Sequence, residues 1–132
     1  QLYRMSPMGL IPINIYKEIE EFFPGIICKN YYGMIEQTGS IFMECSEGFF
    51  HSNDFADICI RNNNLEIQKN NKPGFIQSIS ILPKSYPGHS IVTEDIGICY
   101  GKDTCKCGRK GRYFKVLGRL KKSQLRGCSD VY

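Results

Sequence analysis

No stretch of this 132-residue chain approaches the ~18 consecutive apolar residues that a membrane-crossing helix needs. The first residues, Gln1-Leu2-Tyr3-Arg4, lack the basic and apolar regions of a secretion signal. They also lack an initiator methionine, so the expectation is a segment cut from a longer chain. Internal repeats and low-complexity segments are missing too, which removes the solenoid and fibrous classes. Seven cysteines, an odd number without a signal segment, argue against a disulfide framework. They point to a reducing interior, and the cytoplasm is the expected location. Thiols that are not crosslinked serve as core filler, metal ligands or nucleophiles.

What is present fits one packed domain. Hydrophobic residues make up 42% of the chain and include Phe, Tyr, Ile and Leu throughout. The net charge of +4 is modest but its excess is local. Ten of the 17 Lys and Arg residues, from Lys102 to Arg126, fall in one 25-residue stretch. Such a run is either a solvated face or a surface for an anion, phosphate groups or nucleic acid.

Residues 12–23, PINIYKEIEEFF, read as a helix. Pro12 suits the first helical position, apolar residues recur at 3–4 spacing, and Pro24-Gly25 ends the element. Strands are expected over 26–32, 55–61, 65–69, 75–82, 90–93, 96–100 and 112–118, with 55–61 and 65–69 joined by Asn62-Asn63-Asn64 as a hairpin. The predicted class is α+β and strand-rich, a meander of antiparallel strands or distorted barrel with one clear N-terminal helix.

"MECSEGFFH" (43–51) sets Cys45 and His51 on either side of a Ser-Glu-Gly turn, and "CKCG" follows 60 residues later. Cys45, His51, Cys105 and Cys107 would make a Cys₃His set, a common closed tetrahedral zinc shell. Lys106, Arg109 and Lys110 are near enough in sequence to offset its negative charge. The spacing departs from the common C-x₂-C knuckle, and four unrelated residues would read the same way. Cys28, Cys59 and Cys99 lie in apolar strand patterns that place them in the core.

"YYGMIEQTGS" (31–40) resembles the Tyr-Gly-x-Thr-Glu signature of the adenylate-forming ligases, which activate carboxylic acids with ATP. "VTEDIG" (92–97) resembles their strand-end Thr-Gly-Asp segment, and "VLGRLKKSQLRGCSDVY" (116–132) their Gly-Arg hinge. Glu44-Cys45…Gly48…His51 and Cys105-Lys106-Cys107-Gly108-Arg109 are similar to motifs of the acyl-protein synthetase (LuxE) and phenylacetate–CoA ligase branch. That resemblance implies a C-terminal portion of a large domain, ending at the hinge. It implies bound structural zinc, with ATP and Mg²⁺ used by the full-length enzyme, this piece alone being inactive.

By the same resemblance, Tyr32 would lie against adenine, Gly33 beside it would belong to the nucleotide site, and Glu36 would help hold Mg²⁺. Asp95 would accept hydrogen bonds from the ribose hydroxyls, and Arg119 would reach the ribose or phosphate. Lys121 falls at the hinge. Ile35 replaces the motif's usual Thr and removes a hydroxyl expected near the phosphate. Cys128 is the candidate nucleophile that would carry the acyl group as a thioester, with Arg126 and Lys122 favouring its thiolate. The implied partners are a fatty or aryl carboxylic acid, ATP, and an acyl-accepting reductase or carrier protein. An aryl–CoA ligase is the alternative within the class; a zinc-stabilised basic nucleic-acid-binding module is the alternative outside it.

Overall fold

A computed structural model describes residues 2–5 and 13–120, with side chains from Ile15 onward. One helix, α1 (Ile13–Phe22), is accompanied by eight strands: β1 (Leu2–Met5), β2 (Cys28–Tyr32), β3 (Phe42–Met43), β4 (Phe50–His51), β5 (Ala56–Arg61), β6 (Pro73–Ser80), β7 (Ser90–Lys102) and β8 (Arg112–Arg119). They form a three-stranded sheet, β1-β2-β3, and a five-stranded sheet, β4-β8-β7-β6-β5. Every pair in the larger sheet is antiparallel, so the strand-rich α+β expectation holds there. The smaller sheet adds a parallel pair, β1 with β2, where sequence reading placed no first strand.

The larger sheet is strongly curled. Laid flat, its outer strands β4 and β5 would sit about 19 Å apart at the usual strand spacing. Here only residues 52–55 join them, and Asp57 on β5 pairs with Arg112 on β8, three positions across the sheet. The Ser52 hydroxyl donates to the same carboxylate at 2.5 Å. No ladder closes the two edges, so the sheet is an open curl rather than a barrel.

Alternation of burial explains the core. Ala56, Ile58 and Ile60 face inward from β5, and Ile76, Ser78 and Ser80 face inward from β6. Ala56, Ile58, Ile60 and Ile76 form one core cluster with Tyr32, Phe42, Phe50, Cys99 and Phe114. Phe42 and Phe114 lie edge to face with centroids 5.4 Å apart, an arrangement favoured by ring quadrupoles. Cys99 is a core thiol as expected; Cys28 and Cys59 are half-buried.

Two strand assignments change. LEIQK (65–69) is not a strand: only Ile67 bridges back to Arg61, and β5 pairs instead with β6. Asn62 decides this, because its side-chain oxygen accepts from the amides of Asn64 and Glu66 and coils the segment. Leu65 and Asn71 both take positive φ, and Ile67 is left exposed with no face to bury it. The two short strands expected over 90–100 are one strand, β7, whose pairing with β8 slips at Ile96/Gly97 and again at Cys99/Gly101.

Candidate functional site

Two glycine turns build the first cluster. Cys45 opens a turn closed by the Gly48 amide donating to the Cys45 carbonyl at 3.0 Å. Cys105 opens its counterpart, with the Gly108 amide 3.1 Å from the Cys105 carbonyl. Both glycines take positive φ, 72° and 81°, a region where a Cβ is costly. His51 arrives on β4, in register with Tyr113 of β8, and its ring stacks on that tyrosine.

The ligand atoms of Cys45, His51, Cys105 and Cys107 lie within 4.8 Å of one another. Four donors at about 2.0–2.3 Å around one tetrahedral ion would stand roughly 3.5–3.8 Å apart, so the set is close to that size. His51 Nε2 is already 3.4 Å from Cys107 Sγ, and His51 Nδ1 is buried with no hydrogen bond of good geometry. Burial lowers the His51 pKa, outweighing the Lys110 backbone, and the Arg109 charge adds to the lowering; the imidazole is held neutral, the form that ligates.

The thiols divide. Burial pushes Cys105 up, with the neighbouring Cys45 and Cys107 adding to the rise against the Cys107 backbone. Burial would raise Cys107 as well, but the Arg109 amide, the Cys105 and Cys45 thiols and the Arg109 charge together bring it below its usual value. Arg109 links the two turns: its amide donates to Cys107 Sγ at 3.4 Å and its guanidinium reaches the Met43 and Glu44 carbonyls. This is a three-sulfur, one-nitrogen donor set, buried except at half-buried Cys107, and it suits a soft divalent cation.

The second cluster joins the two sheets. Asp95 on β7 sits in register with Arg119 on β8, and the Arg119 Nε donates to Asp95 Oδ1 at 3.2 Å. From β2, the Tyr32 hydroxyl donates to Asp95 Oδ2 at 2.8 Å. The Thr93 hydroxyl accepts from the Asp95 amide at 3.1 Å and donates to the Ile76 carbonyl, linking β7 to β6. Asp95 and Arg119 thus meet across β7 and β8. Tyr32 is 3% exposed, with Phe42, Phe50 and Phe114 around its ring.

A 3₁₀ turn, Ile35–Gln37, carries the third group. Glu36 and Ile35 are exposed on it, and Gly33 packs so that a Cβ there would stand 3.2 Å from the Ser40 carbonyl. Gln37, which sequence reading passed over, is fully buried, and its amide donates to the carbonyls of Ser78 and Gly88. The Tyr86 hydroxyl donates to the Glu36 carbonyl from the same side. Gly88 is required for that contact, since a Cβ would lie 2.1 Å from the Tyr86 ring. Nothing local signals Gln37, whose acceptors are 41 and 51 residues away. Lys121 and Cys128 lie outside the described residues.

Compared with protein families, residues 25–132 match the model described as acyl-protein synthetase, LuxE. The chain belongs to the LuxE family. The match covers the Cys₃His cluster, the Tyr32–Asp95–Arg119 group and the 3₁₀ turn alike. Membership of the LuxE family makes this a ligase chain of the acyl-activating kind. No curated protein matches the chain. Among the described residues, no helix is long and apolar enough to cross a membrane.

Proposed function

We propose that these residues form the nucleotide-facing wall of a ligase that converts a fatty or related carboxylate to an acyl-adenylate with ATP and Mg²⁺. The acyl group would then pass to a thiol, a protein cysteine in the first instance. Adenylation replaces a poor leaving group with AMP, and a thiolate attacking the carbonyl releases AMP and leaves a thioester. The chain is read as the C-terminal part of the large domain of a cytoplasmic enzyme.

The observation that carries this reading is the Asp95–Arg119 pair on neighbouring strands, inside the family match. A carboxylate with free lone pairs accepts from ribose hydroxyls, while a guanidinium beside it offers donors to the ribose or phosphate. Glu36, exposed on a turn held by Gln37 and Tyr86, supplies a hard oxygen for Mg²⁺. The Cys₃His cluster fills four positions with protein atoms, leaving none for substrate, so its metal is a structural zinc bracing the loops.

Replacing Asp95 with Ala in the enzyme that carries this sequence abolishes acid-dependent exchange of pyrophosphate into ATP. Retained exchange would remove Asp95 from the site. Cys128→Ser leaves exchange intact and blocks labelling of the protein by radioactive fatty acid and ATP; unchanged labelling would exclude Cys128 as the acyl carrier.

A further inference from the structure

Tyr32 does not have the surroundings of a stacking platform. Its ring is 3% exposed and enclosed by three phenylalanines, so neither face is open to a purine. Its one polar atom points at Asp95, and the 2.8 Å contact spans 63 residues and bridges the two sheets. The ring fixes the hydroxyl, because a phenol locked in an aromatic core has no freedom to turn elsewhere. The hydroxyl in turn fixes the carboxylate, which is held at Oδ2 by Tyr32 and at Oδ1 by Arg119.

We infer that Tyr32 is a positioning residue for Asp95: its buried hydroxyl orients the carboxylate so that the remaining lone pairs face the ribose hydroxyls of the nucleotide. The inference rests on Asp95 being the ribose acceptor. Each carboxylate oxygen has two acceptor sites, so an oxygen that accepts from Tyr32 or Arg119 can also accept from one hydroxyl of a diol. Burial, then the Asp95 charge, raise the Tyr32 pKa, so the phenol remains a proton donor throughout the working range. A donor that keeps its proton over that range holds the ionised carboxylate in one rotamer. The same arrangement separates two consequences of changing Tyr32. Loss of the hydroxyl alone would affect what Asp95 recognises, whereas loss of the ring would affect the core.

The test is binding of Mg-ATP and Mg-2′-deoxy-ATP, by calorimetry, to the enzyme that carries this sequence. Wild type is expected to prefer ATP about tenfold, the value of a hydrogen bond to a charged group. Asp95→Asn brings the two nucleotides close to parity. Tyr32→Phe, which keeps the ring, reduces the preference at least threefold, and combining it with Asp95→Asn reduces it no further. If Asp95→Asn abolishes the preference while Tyr32→Phe keeps it, Tyr32 is not a positioning residue and the ribose role of Asp95 stands. If wild type shows no preference, or Asp95→Asn retains it, the ribose reading falls and this inference with it. Should Tyr32→Phe fold poorly, Tyr32→Met also lacks the hydroxyl and is read by the same ratio. A ratio unchanged from wild type in folded Tyr32→Met overturns the proposal.

Discussion

Tyr32 and Asp95 show how one residue's environment becomes a pH dependence. The folded phenol's pKa lies above the ordinary value near 10, chiefly through burial. Below pH 10 both folded and unfolded chains hold the proton, and the contribution is fully present. Above it the unfolded chain ionises first, so stability falls as pH rises toward the folded pKa. Urea midpoints between pH 8 and 11 are therefore expected to drop faster for wild type than for Tyr32→Phe. Parallel curves would mean that the phenol is not desolvated as described. The tyrosine itself was legible in the Tyr-Gly-x-x-Glu motif, but its contact was not. Its partner is 63 residues away, and which way a strand aromatic faces depends on how two sheets meet.

At the scale of elements, the strands were legible wherever alternation had a face to bury. Ala56, Ile58 and Ile60 alternate inward and β5 was recognised; Leu65 and Ile67 alternate too, but the Asn62 side chain coils that segment and no core lies under it. The excursion returns the chain at Gly74, directly against β5. A methyl group on Gly74 would stand 2.2 Å from the Arg61 carbonyl oxygen, and backbone cannot yield as a side-chain tip does. Gly74→Ala is expected to cost about 1–3 kcal/mol, the usual range for overpacking. Urea denaturation reads this as a lower midpoint, and a midpoint equal to wild type would show that β5 and β6 approach less closely than described. The bends within β7 were equally hidden. A slip in register costs no residue that propensity would notice, so the strand read as two.

Over the whole molecule, the Cys₃His cluster is where distant parts of the chain come together. It joins a turn at Cys45–Gly48 and strand β4 to a turn 60 residues later, between β7 and β8. The four donor residues were legible as two separated motifs, Cys45…His51 and Cys105-x-Cys107, and each motif's cysteine turn carries a glycine at positive φ. The arginine that links the turns could be placed near the thiols, but its reach to the Met43 and Glu44 carbonyls could not. An ion that binds these separated donors only when the chain is folded adds its binding free energy to the fold, so chelation should lower the melting temperature. The measurement that tests the account most directly is elemental analysis of protein purified without added metal, beside Cys105→Ser and Cys107→Ser. One zinc per chain in wild type, lost in both variants, is the predicted result. A metal-free wild type that melts at the same temperature with and without chelator would contradict a zinc-braced nucleotide wall.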